Sequence, residues 1–462
     1  MESGTLHFVG IGGIGMSAIA RILLGRGERI SGSDLVDSML LDDLRAAGAR
    51  VTIGHAEANV NGARALVVSS AIDPANPEYR TALARGIPIV RRGEMLAELM
   101  RGQRGIAICG THGKTTTTAM TAAVLRGGDV DASLVLGGIA IDTNTNAHDG
   151  ASPWFLTEAD ESDGSFALLD PVVAVVTNVE NDHLASDEDL PKLARAFEAF
   201  LEKIPGNGLS VVGGDCPASA ALAALPRRSR TVTFGFSPAA HVRPAKVRYA
   251  NLGATFDVLA GSANLGTVEI RVPGAINVAN ALAAITVGRE LEIPFTRIAH
   301  ALRGFSGVRR RFEILARSER MTVVDDYAHH PTAVRATIAA ARQYYGGPVV
   351  VAFQPHRYTR TEYLASAFAD ALRGADEVYL TPVYAASELP IPGVSERSIG
   401  EPLRAFGTRV RYVDRVDDVV EPLLRDAPAG ALVLMLGAGS ITRAAKDLAH
   451  AVQALGTRSA AS

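Results

Sequence analysis

The residues with the most distinctive chemistry form one short loop, Cys109-Gly110-Thr111-His112-Gly113-Lys114-Thr115-Thr116-Thr117. An apolar run over 105–108 precedes it and predicts a buried strand, and a segment rich in alanine and threonine over 118–126 follows it and predicts a helix. In such a unit the glycines let backbone N–H groups approach phosphate oxygens, while the helix N-terminus and the lysine supply positive charge. The first threonine hydroxyl suits Mg²⁺. The loop therefore predicts a nucleotide-phosphate site.

This loop is shorter than the usual phosphate loop, G-x-x-x-x-G-K-[ST], which requires a glycine where this chain has Ile108. The alternative interpretation is a glycine-rich turn that carries a surface lysine. That alternative does not explain why a lysine and several threonines stand together at the start of a predicted helix. We therefore interpret the loop as the shorter form, G-T-x-G-K-T.

A second glycine-rich turn, Gly10-Ile11-Gly12-Gly13-Ile14-Gly15, lies between a predicted strand at 6–9 and a predicted helix at 16–26. It satisfies G-x-G-x-x-G, and Ser33-Asp34 lie about 20 positions further on, where dinucleotide-binding folds place a ribose ligand. The fingerprint indicates a pyrophosphate rather than a nicotinamide. NAD, another diphosphate and a turn without a ligand therefore all stay open.

A strand predicted at 29–31 is the second of this N-terminal part, and two more follow, Ala65 to Val68 as the third and Ile87 to Val90 as the fourth. The third ends in Ser69-Ser70, and small hydroxyl residues at the carboxyl end of a parallel strand line the crevice where such folds bind ligands. The expected ligand site here consists of Gly12, Gly13, Ile14, Gly15, Ser33, Asp34, Ser69 and Ser70.

Carboxylates follow two apolar runs in the middle of the chain. The runs and the segments after them are Trp154 to Thr157 with Glu158-Ala159-Asp160-Glu161-Ser162-Asp163, and Val172 to Val176 with Thr177-Asn178-Val179-Glu180-Asn181-Asp182-His183. Mg²⁺ prefers oxygen ligands and retains several waters, so Glu158 with Thr115 of the loop suffices to hold it. The alternative for Glu158 is a solvated loop. His183 is a less typical ligand, and a structural hydrogen bond with Asp182 is its alternative.

Residues 230–272 predict a small set of antiparallel strands with glycine and asparagine turns, over 231–234, 242–249, 254–259 and 266–272. A predicted helix follows and reaches about Glu290. Its Asn277 and Asn280 lie on one face, where their amides could contact an adenine edge; the alternative role is helix capping near Gly274.

The C-terminal third begins with a predicted hinge at Gly307, where Arg309, Arg310 and Arg311 offer either cations to phosphates or a solvated face. Strands predicted at 321–324, 349–353 and 432–436 alternate with helices, which indicates a third α/β unit with a largely parallel sheet. Polar clusters at 325–332 and 354–361 follow two of these strands. In the second cluster Arg357, Arg360 and a histidine suit a carboxylate or phosphate.

Length and composition limit the number of domains, the class of partner and the cellular compartment that we expect. A chain of 462 residues indicates about three domains, and we expect them at 1–104, 105–312 and 313–462. The 46 basic and 49 acidic residues are nearly balanced, which predicts no nucleic-acid partner. Two cysteines fit a reducing compartment. No signal peptide and no apolar run of about 18 residues is present, so we expect a cytoplasmic protein without membrane insertion.

Together these motifs resemble one family, the ATP-dependent Mur ligases of peptidoglycan precursor synthesis. The resemblance rests on Val9 to Ser17, Gly110 to Thr118, Glu158 to Asp163, Thr177-Asn178 with Asp182-His183, Asp325 to Pro331 and Phe353 to Thr361. The motifs span almost the whole chain in the family's order. The resemblance implies a Rossmann-like N-terminal domain, a central P-loop ATPase-like parallel sheet with a small antiparallel addition, and a Rossmann-like C-terminal domain.

The resemblance also implies a reaction. The first domain would bind the UDP part of a substrate rather than NAD, the second would bind ATP, and the third would help to bind ATP and the incoming amino acid. The lactyl carboxylate of UDP-N-acetylmuramate would attack the γ-phosphate of ATP, and the amine of L-alanine would attack the resulting acyl phosphate. Cations would offset the repulsion between the two anions. A related ligase that adds a different amino acid or a peptide is the alternative, and monomer and dimer both stay open.

Individual roles follow from the same resemblance. Lys114 would bridge the β- and γ-phosphates, Thr115 and Glu158 would hold one Mg²⁺, and His183 would hold a second. The implied ATP contacts are Gly110, Thr111, His112, Gly113, Lys114, Thr115, Thr116, Asn277, Asn280, Arg311 and, at the ribose, Asp326. His329, Arg357 and Arg360 would face the acyl group and alanine, and Asn146 would join the UDP-substrate residues.

Three departures from the family pattern affect these expectations. The family's G-x-H-N reads Gly274-Ala275-Ile276-Asn277 here, so a histidine is missing, and Pro382 replaces an acidic residue before Val383-Tyr384. Some Mur ligases use a carbamylated lysine near the second metal, but neither Lys192 nor Lys203 lies at a matching position, so we predict no carbamylation.

Two rival interpretations are a nicotinamide oxidoreductase, which leaves the phosphate loop unexplained, and a nucleotide-gated binding protein, which has no need for His183, Arg357 and Arg360.

Overall fold

The computed structural model describes residues 4–161, 164–180, 190–386 and 388–459. It contains three β-sheets and divides into two compact units. The first unit consists of 1–245, 257–268 and 279–305, and the second of 246–256, 269–278 and 306–462. The predicted α/β class with three sheets is confirmed. Among the described helices, none is both long enough and apolar enough to cross a membrane.

The N-terminal sheet has five parallel strands in the order β3-β2-β1-β4-β5. Its elements are β1 (Thr5–Val9), α1 (Ile14–Gly25), β2 (Ile30–Asp34), α2 (Met39–Ala46), β3 (Arg50–Ile53), β4 (Ala63–Val68), α3 (Pro77–Ala84), β5 (Ile89–Arg91) and α4 (Arg92–Met100). The strand order reverses between β1 and β4, so a crevice opens at the carboxyl ends of these two strands. The glycine-rich turn follows β1 and Ser69-Ser70 follow β4, as the sequence predicted.

The prediction missed one strand of this sheet. The run Ala65 to Val68 is the fourth strand in the chain rather than the third, and the predicted fourth strand is the fifth, at Ile89–Arg91. The missed strand, β3, lies at the sheet edge, and its residues are largely exposed. Edge strands need no apolar run, so hydrophobicity gave no signal for β3.

The central sheet has ten strands in the order β15-β14-β13-β12-β11-β10-β6-β9-β7-β8. Its strands are β6 (Arg104–Cys109), β7 (Ser133–Ala140), β8 (Thr145–His148), β9 (Trp154–Glu158), β10 (Val173–Val176), β11 (Leu209–Gly213), β12 (Arg230–Phe234), β13 (Val242–Ala250), β14 (Gly253–Ala260) and β15 (Ala263–Ile270). The helices of this part are α5 (Lys114–Gly127), α6 (Leu190–Glu202), α7 (Pro217–Ala224), α8 (Ala275–Glu290) and α9 (Phe295–Gly304). Strand β6 pairs in parallel with β10 and β9, and the register places Cys109 beside Val176 and Ile108 beside Glu158. The ends of these three strands therefore bring the phosphate loop, Glu158 and the segment after β10 to one edge.

Two predictions for this sheet are corrected. Thr231 to Phe234 was expected among the antiparallel strands, but β12 pairs in parallel with β11 and extends the main sheet. Strand direction depends on a partner distant in sequence, which the residues of the strand do not encode. Helix α5 begins at Lys114 rather than near Thr118, because Gly113 adopts φ 84° and ends the loop directly before the lysine.

The N-terminal and central sheets of the first unit share packing. Helix α1 contacts β7 and β8, and one apolar cluster includes Phe8 of β1 together with Phe155 of β9. Asn146 of β8 is buried at this junction, where its Nδ2 donates to the Ile14 carbonyl at 2.8 Å and to Ser17 Oγ at 2.9 Å. The helix that begins at the glycine-rich turn is therefore fixed to the central sheet.

The second unit is built on a six-stranded sheet in the order β16-β17-β21-β18-β19-β20, in which only the β16–β17 pair is antiparallel. Its elements are β16 (Glu313–Arg317), β17 (Met321–Asp326), α10 (Pro331–Tyr344), β18 (Val349–Phe353), α11 (Tyr358–Leu372), β19 (Glu377–Leu380), α12 (Arg397–Ala405), β20 (Arg409–Tyr412), α13 (Val420–Asp426), β21 (Ala431–Leu436) and α14 (Ile441–Ser459). Alternate residues of β18 enter two apolar clusters, with Val351 in one and Val350 in the other. Helices therefore cover both faces of the sheet, as an α/β fold requires.

Candidate active site

The phosphate loop between β6 and α5 depends on two glycines in the left-handed region, Gly110 with φ 118° and Gly113 with φ 84°. A Cβ atom at Gly110 would lie 2.2 Å from Thr177 Oγ1, and one at Gly113 would lie 2.6 Å from Asn280 Oδ1. Both positions therefore exclude any side chain for reasons of conformation and of space. The loop backbone stays open to a close approach by a ligand oxygen.

The segment after β10 holds this loop in place. Asn178 Oδ1 accepts from the His112 N–H at 2.9 Å, and Asn178 Nδ2 donates to the His112 carbonyl at 3.0 Å. Thr177 Oγ1 donates to the same carbonyl at 2.6 Å, and the Glu180 N–H donates to Thr111 Oγ1 at 2.8 Å. These hydrogen bonds fix the loop backbone from both sides, which preorganises it for an anion.

Lys114 makes an ion pair in this structure. Its Nζ donates to both carboxylate oxygens of Glu161, at 2.8 and 3.0 Å, and to the carbonyl oxygens of Gly110 and Thr111, at 2.6 and 3.3 Å. Burial lowers the pKa of Lys114, but the Glu161 carboxylate raises it by more than burial lowers it, so the pKa lies above its usual value. The lysine is therefore charged and directed across the loop.

Glu158 and Thr115 lie together as the magnesium hypothesis requires. Thr115 Oγ1 donates to Glu158 Oε2 at 3.0 Å, and the Gly137 N–H donates to Glu158 Oε1 at 2.6 Å. A hydroxyl and a carboxylate side by side fit Mg²⁺, which takes oxygen ligands and retains waters. Among the described residues no three His, Cys, Asp or Glu side chains form a closed metal cluster. His183 lies outside the described residues, so its predicted role stays a prediction.

The remaining predicted ATP contacts of the central part are Thr116 in the first turn of α5 and two asparagines of α8. Thr116 is buried in that turn, and Asn280 of α8 accepts from Thr117 Oγ1 at 3.1 Å. Asn280 therefore lies directly beside the loop. Asn277 is described within the second unit, where its Nδ2 donates to the Pro273 carbonyl at 2.6 Å. An N-cap would instead accept a backbone N–H through its side-chain oxygen, so both the adenine role and the capping role of Asn277 stay predictions.

The glycine-rich turn of the N-terminal sheet is brought against Asp34. The Gly12 N–H donates to Asp34 Oδ2 at 2.8 Å, and Gly13 is the N-cap of α1. A Cβ atom at Gly15 would lie 3.1 Å from Arg92 Nη1, so a guanidinium stands beside the start of α1. Arg92 also approaches Asp160 Oδ2 at 3.6 Å. The turn thus has the helix N-terminus and one cation that a diphosphate requires.

Two expected substrate residues have other partners in this structure. Ser33 is fully buried, and its hydroxyl donates to Glu78 Oε2 at 2.6 Å. Asn146 is buried at the junction with α1, where it bonds to Ile14 and Ser17. Ser69 is half-buried and Ser70 is exposed after β4, at the crevice. Of the expected hydroxyl residues, those after β4 are the ones that a ligand can reach without rearrangement.

The candidate nucleotide residues of the second unit surround Tyr327. Both carboxylate oxygens of Asp326 accept backbone hydrogen bonds, from Phe312 and Ala328 at 2.7 Å each. The guanidinium groups of Arg310 and Arg311 lie 4.9 and 5.1 Å from the Tyr327 ring centre. Burial raises the pKa of Asp326, although Arg311 opposes this effect. The cluster combines a fixed carboxylate with two cations stacked on one ring.

A second cluster of this unit contains His329, Arg357 and Arg360. The His329 ring meets the His356 ring edge to face at 5.6 Å, and His356 stacks on Tyr384 at 5.5 Å. Burial, followed by the charges of Arg360 and Arg357, lowers the pKa of His356 to about 4, so its ring is neutral near pH 7. Arg357 adopts φ 70° as the N-cap of α11. Two guanidiniums beside a neutral imidazole suit a carboxylate-bearing ligand.

The sequence reasoning assigned no role to four residues of these sites: Glu161, Gly137, Arg92 and Glu78. A glycine inside a strand indicates that another group approaches the backbone closely. The role of Gly137 could therefore have been predicted from the sequence if strand β7 had been predicted. Glu161 was part of a quoted motif without an assigned function. Arg92 and Glu78 come from helices that no motif marked, and only tertiary structure brings them to the sites.

Comparison with known proteins places each part of the chain in one family. The sequence model described as "Mur ligase family, catalytic domain" matches residues 5–104, "Mur ligase middle domain" matches 108–288, and "Mur ligase, glutamate ligase domain" matches 310–439. These three ranges together account for most of the chain.

Individual relatives agree with these matches over the full length. The UDP-N-acetylmuramate–L-alanine ligase of Solibacter usitatus is 46% identical, covering 96% of this chain and 94% of that protein. The ligase of the same name from Syntrophotalea carbinolica is 45% identical over 97% of this chain and 98% of that protein. The crystal structure of UDP-N-acetylmuramate-alanine ligase MurC from Thermotoga maritima superposes with a TM-score of 0.84 at 28% identity, covering 98% of this chain and 100% of that one. This chain therefore belongs to the Mur ligase family.

Proposed function

We propose that this chain is an ATP-dependent ligase that joins L-alanine to the lactyl carboxylate of UDP-N-acetylmuramate in peptidoglycan precursor synthesis. The observation that carries the proposal is its full-length similarity to ligases that bear this activity in their names. The geometry supports it, since the described residues include a rigid phosphate loop, a charged lysine and a hydroxyl–carboxylate pair that fits Mg²⁺. ATP and a UDP-linked sugar as substrates fit the cytoplasmic location expected from the sequence.

The proposed chemistry has two balanced steps. A carboxylate oxygen of UDP-N-acetylmuramate attacks the γ-phosphorus of ATP, and the bond to the β–γ bridging oxygen breaks to release ADP. The deprotonated amine of L-alanine then attacks the acyl carbon, and phosphate leaves with the former carboxylate oxygen. Phosphorylation is needed because a free carboxylate has no leaving group that an amine can displace.

The chain's own residues would supply charge and position. Lys114 would contact the β- and γ-phosphate oxygens, and the loop N–H groups would surround them. Thr115 and Glu158 would hold Mg²⁺, which supplies charge neutralisation for phosphoryl transfer when bound. Asn280 would take part in adenine recognition. In the second unit Arg311 and Asp326 would serve the nucleotide, and His329, Arg357 and Arg360 the acyl group and amino acid.

The test is phosphate release from ATP with UDP-N-acetylmuramate and a panel of L-alanine, L-serine, glycine, L-glutamate and a short peptide with a free N-terminal amine. We expect the highest kcat/KM with L-alanine and no release without an acceptor amine. When the lactyl carboxylate carries ¹⁸O, one labelled oxygen should appear in the released phosphate. Preference for a peptide, or unlabelled phosphate during amide formation, would contradict the proposal.

Lys114→Ala serves as the matched inactive variant. We expect turnover to fall by at least about 1000-fold, because the transferring phosphoryl group loses its nearest cation. Circular dichroism should still show a folded α/β protein. Its thermal unfolding temperature should be lower than that of the wild type, since Glu161 would remain buried opposite no ammonium. Phosphate release near the wild-type rate would exclude the assigned role of the loop.

A further inference from the structure

The lysine of the phosphate loop is already bound to an anion, and that anion is part of the chain. Glu161 places both carboxylate oxygens on Lys114 Nζ, at 2.8 and 3.0 Å. Its side chain is 3% exposed and that of Lys114 is 16% exposed. An ion pair with this degree of burial is shielded from solvent and is not a surface contact of small consequence.

The ammonium of Lys114 has no hydrogen left for a phosphate oxygen. An ammonium has three donors, and four acceptor atoms already surround Nζ, namely the two Glu161 oxygens and the carbonyl oxygens of Gly110 and Thr111. The two carbonyls are fixed by the loop backbone. A phosphate oxygen can therefore reach the ammonium only if the Glu161 carboxylate leaves.

Neighbouring carboxylates do not share this position. Glu158 is bonded to Thr115 Oγ1 and to the Gly137 N–H, and Asp160 approaches the guanidinium of Arg92 at 3.6 Å. Both lie close enough to influence the charge of Lys114, but among the described residues the carboxylate that contacts its Nζ is Glu161. This difference separates a direct exchange from a general electrostatic effect.

We propose that Glu161 is a positioning residue that holds Lys114 as a counter-ion before nucleotide binds, and that the ATP triphosphate binds by exchanging with its carboxylate. The inference deepens the proposed function and rests on it, since it assigns the exchange to the same loop. The exchange has two consequences. The carboxylate keeps the ammonium oriented across the loop before ATP arrives, and it lowers the affinity for ATP because its ion pair must be broken when ATP binds.

The decisive variant is Glu161→Gln, which keeps the size of the side chain and one acceptor oxygen but removes the charge. We expect it to bind the non-hydrolysable analogue AMP-PNP with Mg²⁺ at least about threefold more tightly than the wild type, measured by calorimetric titration without the other substrates. The matched control is Asp160→Asn, which removes a neighbouring charge without touching Lys114 and should change this affinity by less than about 1.5-fold.

Each outcome decides the inference. Equal tightening in both variants would mean general electrostatics, and weaker binding in Glu161→Gln would mean that the carboxylate assists the nucleotide; either result overturns the exchange. An unchanged affinity in Glu161→Gln would overturn the exchange as well, and a lower unfolding temperature in that case would leave Glu161 a purely structural role. Glu161→Ala provides a second route to the same prediction if Glu161→Gln folds poorly. Wild-type binding of AMP-PNP tests the proposed function separately.

Discussion

Among single residues, a small residue can determine the orientation of a reactive side chain. Gly137 shows this most directly, because its N–H donates to Glu158 Oε1 at 2.6 Å and a Cβ atom at this position would lie 2.9–3.1 Å from the carboxylate. Its backbone is the second contact that orients the carboxylate, in addition to Thr115. The sequence analysis named Glu158 as a predicted Mg²⁺ ligand but assigned no role to Gly137, which orients its carboxylate.

We predict that Gly137→Ala displaces Glu158 and raises the Mg²⁺ concentration for half-maximal phosphate release by about 10-fold, as is usual when a contact that orients a ligand is lost. A titration of initial rates against Mg²⁺ at saturating ATP measures this shift. Gly206→Ala is the matched control, because a Cβ atom there meets only the Arg228 carbonyl at 3.9 Å. Equal Mg²⁺ requirements in both variants would argue against the assigned role of Glu158.

At the scale of elements, a buried carboxylate joins the strands and helices of the N-terminal sheet. Glu78, in the first turn of α3, is fully buried and accepts from Ser33 Oγ of β2 at 2.6 Å and from Asn59 Nδ2 at 2.5 Å. The rings of His55 and His7 approach the same carboxylate at 3.3 and 3.6 Å. Burial raises the pKa of Glu78, but the nearby His7 ring and the hydrogen bonds from Ser33 and Asn59 outweigh it and lower the pKa to about 2.

This lowered pKa fixes the sign of a pH effect on stability. Because the folded pKa lies below the unfolded value of 4.5, the contribution of Glu78 is complete above about pH 4.5 and is lost as the pH falls towards 2. We predict that Glu78→Gln lowers the free energy of unfolding by about 2–3 kcal/mol at pH 7 and by about half as much at pH 3. Urea unfolding of both proteins at the two pH values measures it. A difference that is constant with pH would contradict the assignment.

The strands differed in how well they could be predicted from the sequence. The apolar runs at β6 and β18 were predicted nearly to the residue, because both faces of these strands are buried and the signal is local. Strands β7 and β8 were not predicted, since glycine, asparagine and histidine residues interrupt their apolar pattern. The motifs of the candidate sites were found for the same reason as β6: glycines, lysines and carboxylates follow strands that are easy to recognise.

At the scale of the whole molecule, the apolar clusters follow the two compact units. One large cluster extends through the N-terminal and central sheets of the first unit, and two others cover the faces of the sheet in the second. Sequence reasoning divided the chain at motifs and linkers, and it had no means to foresee that the first two sheets share a core. Packing between segments far apart in sequence produced that result.

We predict that calorimetry resolves two unfolding transitions, one for each compact unit. UDP, the part of the substrate whose predicted contacts all belong to the first unit, should raise the temperature of one transition only, because a ligand stabilises the unit that binds it. Glu78→Gln identifies that transition, since it should lower the same one. A single transition, or equal shifts of both with this ligand, would refute the prediction.

The contact of α1 with β7 and β8 has a practical consequence for work on the nucleotide-sugar site. The start of α1 is held by the buried Asn146 amide, and the apolar face of the helix packs on strands that an excised fragment ending near residue 104 would lack. Such a fragment would expose that face to water and lose the anchor of its own glycine-rich turn. Screening for compounds that compete with the sugar nucleotide therefore calls for full-length material.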